Sequence, residues 1–398
     1  MIMKTKITLF LLMLFSFYKA QTNPVYQAFL TDKWIQNTYL DKGTNSLYLC
    51  YVESGEIKKL GLSNPNAPQT VVLSGLSYPA DAAVIGNRLY FIEAASGLDA
   101  NDMPIPNTGK LSYIDLSQTN PVKVTVLNNL NSPFKLAAGT DFVIIDENTI
   151  STVDNDDFEK QIISRINLTG TVTKTPIVTR TFAADTPTEE AFEYFEVVGN
   201  VLYSNSYNYN FGSQLGYFYK TPLDTKITSV THTFTEHTPY SFGSSQNTYY
   251  FGDGYAPGNT YKTTLGGGVV TPITADFHYN GTIANIFDWN FDASGNAYVL
   301  VEEGVNIHLF KYTSQQLQTS EQALLKDNWT IYPNPVVGDL HFSKDLKELK
   351  VVDLSGKLVL EDINVNGKID VKNIKSGIYL ISGTDILGNK VSAKFIKK

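Results

Sequence analysis

Apolar and polar positions alternate along most of this chain in short runs, such as Val84–Phe91 and Val197–Tyr203, and Gly, Asn and Ser punctuate them. A period of two marks strands with at least one buried face, and turn residues between such runs predict an all-β protein. One phrase recurs: an apolar strand, a Gly-Asn-like turn, then a strand close to Leu-Tyr. Its clear copies are Val84–Phe91, Val197–Tyr203 and Ala293–Val299, and looser ones are Gly43–Tyr48, Gly139–Val143 and Ser245–Tyr250. Anchored at Asn45, Asn87, Thr140, Asn200, Asn247 and Asn296, they are spaced 42, 53, 60, 47 and 49 residues apart. A four-stranded propeller blade takes about 40–50 residues, and Gly-Asn supplies the positive φ that a two-residue hairpin needs.

Six anchors predict a six-bladed β-propeller over residues 21–312. Two strands, Pro24–Phe29 and Trp34–Leu40, precede the first anchor, whereas only Ala297–Glu302 and Asn306–Tyr312 follow the last. The sixth unit therefore lacks its outer strand. The N-terminal strand is expected to supply it and so remove the open edges.

The two ends of the chain read differently from this body. Lys4 and Lys6 precede the apolar run Ile7–Phe17 and then Ala20, the layout of a signal peptide over residues 1–20. No later segment has the length and apolarity of a membrane span, so the mature protein is expected to have none. Residues 313–327 read as a polar linker, and seven short strands follow, predicting a seven-stranded Ig-like β-sandwich over 328–398.

Four phrases in that last stretch carry a resemblance. Tyr332-Pro333-Asn334-Pro335, Val352-Asp353-Leu354-Ser355-Gly356-Lys357, Ser376-Gly377-Ile378-Tyr379-Leu380-Ile381 and the terminal Lys394-Phe395-Ile396-Lys397-Lys398 resemble the type A sorting tail of the type IX secretion system of Bacteroidota. The resemblance implies passage through the periplasm to the outer cell surface or the medium, with the type IX machinery as partner. Phe291–Val299 is similar to a phrase common in NHL-type and gluconolactonase-like propellers, and it marks a turn.

Composition sharpens the picture. With 24 Tyr and 22 Phe among 398 residues, aromatic content favours pleated, half-buried surfaces. The single Cys50 cannot form an intramolecular disulfide and reads as a buried strand residue. The net charge is −8; without the leader's three lysines and the tail's net +3, the middle carries −14. So acidic a body repels phosphate backbones and argues against nucleic-acid binding.

Catalytic signatures are absent: no Gly-x-Ser-x-Gly, no His-Glu-x-x-His and no phosphate loop. Leu265–Val269 reads as a hairpin. Asp154, Asp156, Asp157 and Glu159 lack the glycine of a calcium loop. Aligning the units six residues beyond each anchor gives Tyr51, Glu93, Asp146, Ser206, Asp253 and Glu302. The acidic members, Glu93, Asp146, Asp253 and Glu302, are the candidate metal residues, with Ca²⁺ as the ion that hard oxygens select. Tyr207, Tyr209 and Phe211 are candidate ligand-binding aromatics in a nearby loop. The favoured reading is a secreted or cell-surface binding propeller for a glycan or peptide. The alternative is a metal-dependent hydrolase or lactonase, similar to gluconolactonase-type propellers, in which the ion acts as Lewis acid.

Overall fold

The computed structural model describes residues 23–398, apart from 65, 101–102, 151–157, 183–190, 209–214, 236, 255–258, 274, 276, 280–281, 284, 319–330, 344, 354–356 and 386–389. It divides into two compact units, one ending at Leu317 and the other beginning at Gln318.

The first unit holds six antiparallel four-stranded sheets and, between the fifth and the sixth in the chain, a two-stranded one of His278–Tyr279 and Thr282–Ile283. Sheet I comprises Ile35–Asp41, Ser46–Tyr51, Glu56–Gly61 and Thr70–Leu73. Sheet II comprises Pro79–Ile85, Arg88–Glu93, Gly109–Asp115 and Val124–Leu130, and sheet III Leu136–Ala138, Phe142–Ile150, Phe158–Asn167 and Thr173–Thr181. Sheet IV comprises Tyr194–Val198, Val201–Asn208, Leu215–Pro222 and Ser229–Phe234, and sheet V Pro239–Ser245, Thr248–Asp253, Thr260–Thr264 and Thr271–Pro272. Sheet VI is built from Asn285–Phe291, Ala297–Glu303 and Asn306–Tyr312, and its outer strand is Tyr26–Thr31 from the start of the chain. That strand pairs antiparallel with Asn306–Tyr312, Tyr26 opposite Lys311.

The turn chemistry works as the sequence suggests. Gly86 and Gly199 hold φ of 59° and 62° in two-residue loops closed by the pairs Ile85–Arg88 and Val198–Val201. Thr140, the anchor without an Asn, lies in a longer turn closed by the Gly139 amide on the Phe142 carbonyl. The NHL-like phrase is likewise a turn: Asp292 accepts the amides of Ser294 and Asn296, each at 2.9 Å.

Packing explains why the second strands are apolar on both faces. The first strand of each sheet touches that of the next, and sheet VI returns to sheet I. Each of the six junctions holds its own hydrophobic cluster. In sheet I, Leu47, Leu49 and Tyr51 face sheet VI, while Tyr48 and Cys50 face Phe91 and Ile114 of sheet II. Between sheets IV and V the cluster is aromatic, with Phe218 against Tyr249 at 4.2 Å. Burying one such side chain contributes about 1.5–3 kcal/mol. Cys50 is thus a core residue, and burial pushes its thiol above the ordinary range.

Polar links fasten the junctions near the axis. Asn37 of sheet I donates to Ala80 O of sheet II at 2.9 Å, and Asp81 of sheet II accepts Leu136 N of sheet III at 2.8 Å. Gln161 exchanges two bonds with the Phe192 backbone, and Asn205 donates to Pro239 O at 2.7 Å. Thr38 of sheet I donates to Asp288 of sheet VI at 2.5 Å. At the junction of V and VI, backbone contact replaces a polar link: a Cβ on Gly243 would come within 2.6 Å of Trp289 O.

The polar segment read as a linker opens with a helical turn, Ser314–Gln318. Thr313 caps it in a reciprocal box with Gln316, and Leu317 is buried in the sheet V–VI cluster. The segment's polar composition hid this because a single leucine does the packing.

The second unit has two sheets. One holds Ile331–Tyr332, Asp339–Phe342 and Lys368–Asp370; the other, in spatial order, Leu358–Val365, Leu346–Asp353, Gly377–Asp385 and Lys390–Lys397. A core including Val336, Leu340, Val351, Ile381 and Phe395 lies among them.

Candidate functional site

In every sheet the first strand begins on the side where the second ends, because neighbours are antiparallel. The unit therefore has an upper face, where first strands begin, and a lower face, where first strands turn into second strands. Two cavities line the axis between them.

The upper cavity, of about 300 Å³, is lined by Trp34, Phe134, Phe158, Phe192, Tyr194, Tyr240 and Phe287, with Asn37, Lys135, Asp146 and Gln161 among its polar groups. The aromatic residues come from five sheets; six lie within two residues of the start of a first strand, and Phe158 begins a third strand. Trp34 is the most open of them, 48% exposed, and meets Phe287 edge-on at 6.3 Å. Phe134 stacks with Phe158 at 6.5 Å, and Tyr194 meets Tyr240 edge-on at the same distance.

The polar floor is internally satisfied. The Lys135 ammonium donates to Asn37 Oδ1 and lies 4.5 Å from the Tyr194 ring centroid. Asp146 Oδ1 accepts the amides of Phe134 and Lys135, each at 2.8 Å, and Oδ2 accepts Asn148. Burial raises the Asp146 carboxyl above the usual range, against the pull of those bonds. Tyr240 is raised by burial and by the nearby carboxylates of Glu302 and Glu193. A floor whose hydrogen bonds are spent is rigid, and it leaves recognition to the aromatic faces.

Lys135 and Tyr194 also line the lower cavity, about 380 Å³. Its ionisable lining is Asp41, Lys42, Asp81, Lys135, Glu196 and Asp288. Burial raises Asp81 to about 7, offset in part by Lys135, and raises Asp288 and Glu196 in the same direction.

The candidate metal residues stand on the upper side, and three of them, Glu93, Asp146 and Asp253, are engaged by their own sheets. Glu93 accepts Ser77 N at 3.0 Å and pairs with Lys123 at 3.1 Å. Asp253 meets His237 Nδ1 at 3.2 Å and accepts Thr238 N at 3.3 Å. With Asp146 they share one device: a carboxylate of the second strand holds the loop that leads into the first. Glu302 is half-buried, opposite Asn285, and burial raises its carboxyl. Among the described residues, no three His, Cys, Asp or Glu side chains group closely enough to hold a metal ion. Asp146 alone of the four lines the upper cavity. Tyr207 lies in the strand Val201–Asn208, which ends on the upper face; Tyr209 and Phe211 lie outside the described residues.

The aromatic set is what the sequence reading missed. Aligning units at the ends of second strands brings out carboxylates; Trp34, Phe134, Tyr194, Tyr240 and Phe287 instead lie within two residues of the starts of first strands, at no single aligned position.

Among the described residues no helix is long and apolar enough to cross a membrane. In the second unit the four sequence phrases are structural clasps. Asn334 bonds Lys394 O at 3.0 Å and Ile396 N at 2.9 Å, so the first phrase holds the last strand. Asp353 and Lys357 close a turn on each other, and Tyr379 donates to Lys375 O at 2.8 Å.

No curated protein matches the sequence. Solved structures with propeller-like folds are similar at low identity. A structural-genomics protein of unknown function from Bacteroides thetaiotaomicron is 14% identical with a TM-score of 0.47, over 73% of this chain and 74% of that one. A catalytically inactive virginiamycin B lyase from Staphylococcus aureus with quinupristin is 11% identical with a TM-score of 0.44, over 72% and 98%. An oligogalacturonate lyase in complex with manganese is 14% identical with a TM-score of 0.41, over 70% and 77%. Residues 330–398 match the secretion system C-terminal sorting domain. This tail is thus a type IX sorting domain, and the protein that bears it is exported to the outer cell surface or secreted.

Proposed function

We propose that residues 21–312 form a six-bladed β-propeller sealed by its N-terminal strand, that 313–327 link it to a seven-stranded Ig-like sandwich at 328–398, and that the propeller's upper axial basin binds a glycan outside the cell. The observation that carries this reading is the convergence of seven aromatic side chains from five sheets on one cavity over a hydrogen-bonded floor. Binding cavities are typically apolar and aromatic, with a few fixed polar groups for orientation. The apolar C–H faces of a pyranose match such rings, and about 300 Å³ suits one or two sugar units. Tyr207, Tyr209 and Phe211 are added to this surface in the proposal, since the strand Val201–Asn208 ends on the same side. The type IX machinery is the partner during export; the glycan is the partner afterwards.

The hydrolase reading has less behind it. Glu93, Asp146 and Asp253 already accept backbone amides of their own sheets, and among the described residues no three such side chains group closely.

The full chain should bind members of a polysaccharide and oligosaccharide panel, with quenching or a shift of Trp34 fluorescence. A broad panel without a single binder would overturn the proposal.

A further inference from the structure

The larger sheet of the second unit has an outer face that its fold does not explain. A sheet with one face on a core and the other in water alternates apolar and polar positions. Val351, Tyr379, Ile381 and Phe395 point into the core, as that pattern requires. Their neighbours on the outer face should be polar, and at one end of the sheet they are not. Leu358, Leu380 and Ile396 are 48%, 47% and 42% exposed, and Val352 and Ile378 are partly buried.

Register joins these five aliphatic residues into one patch. Val352 stands opposite Leu358 on one side and Leu380 on the other. Ile378 stands opposite Ile396, and Leu380 opposite Lys394. Lys357 and Lys394, both exposed, border the patch. The other end of the same face is polar: Lys350 pairs with Glu361 at 3.2 Å and stands opposite Ser382.

An exposed apolar patch rimmed by polar groups marks an interaction surface. A partner cannot add a strand beside the end of Lys390–Lys397, because that edge is taken. Asn334 bonds Lys394 O and Ile396 N, and Val336 N donates to Ile396 O at 2.8 Å. What is offered there is the side-chain face. Its lysine border, on a tail of net charge +3, is complementary to an anionic counterpart. All but Leu358 of these residues lie in the phrases that resemble the sorting tail.

We propose that Val352, Leu358, Ile378, Leu380 and Ile396 form the surface by which the tail docks on the type IX machinery, against an apolar partner surface whose carboxylates meet Lys357 and Lys394. The proposal rests on the sorting assignment of residues 330–398 and is independent of the glycan reading.

The test follows the full chain in a type IX-competent host by surface labelling after a pulse of synthesis. The double variant Leu358→Thr with Leu380→Thr keeps residues suited to strands and removes the apolar surface, so it should melt with the wild type. Its rate of appearance at the surface should fall about tenfold, with the chain held in the periplasm. Lys357→Glu with Lys394→Glu should slow delivery likewise, whereas Ser382→Glu at the polar end should not. Wild-type delivery of a normally melting threonine variant would overturn the proposal, as would equal slowing by Ser382→Glu. Should the threonine variant melt low, the lysine pair decides, and its delivery at the wild-type rate would overturn the proposal. Surface delivery of a chain lacking residues 330–398 would instead fault the sorting assignment itself.

Discussion

At the scale of single residues, the buried acids around the axis set the pH response. Asp81 titrates near 7 in the folded protein against an ordinary value of about 3.9. The folded state therefore holds its proton more tightly than the unfolded chain. The stability contributed by this group is complete below about pH 4 and is lost as pH rises through about 7. Asp146, Asp288 and Glu196 are raised too and act with the same sign. The melting temperature of the first unit should be higher at pH 5 than at pH 8, and Asp81→Asn should flatten that slope; calorimetric scans across this range check it. Of these acids only Asp146 was legible in the sequence, as a member of the recurring position that also holds Glu93, Asp253 and Glu302, and its role was not. Asp146 and Asp253 accept backbone amides, and a backbone amide has no sequence signature.

At the scale of elements, the turns were the most legible features, because positive φ at Gly86 and Gly199 is a local demand met by local residues. Partners distant in sequence were legible only where a count came out short, as with the outer strand of sheet VI. That strand makes a direct prediction. Deleting Tyr26–Thr31 exposes the hydrogen-bonding edge of Asn306–Tyr312, so the truncated protein should self-associate in size-exclusion chromatography and lose a single cooperative melt. The junction of sheets V and VI is as sensitive. Gly243→Ala places a methyl against Trp289 O and Cβ, which would stand at 2.6 and 2.7 Å. Overpacking of this kind costs about 1–3 kcal/mol, to be read by chemical denaturation. In the tail, Asn334→Ala removes both bonds to the last strand. It should cost about 1–2 kcal/mol and lower the amount of protein reaching the cell surface.

At the scale of the whole molecule, address and recognition reside in separate units. The address was legible because four motifs lie close together in sequence, in order, within the last seventy or so residues. The recognition surface was not, because Trp34 and Phe287 meet only after the chain has traversed five sheets and entered the sixth. Each aromatic residue taken alone looks like one more strand-start residue in a chain with 46 Tyr and Phe. Their common cavity exists only once the sheets are arranged about one axis.

The most direct test of this account is a paired titration of the wild-type protein and Trp34→Ala with the best-binding glycan, each variant first matched for melting temperature. Trp34 is half exposed and its loss leaves the junction clusters intact, so the two proteins should melt alike while the variant binds at least tenfold more weakly. Equal affinity in the two proteins would move the glycan elsewhere and contradict the central claim.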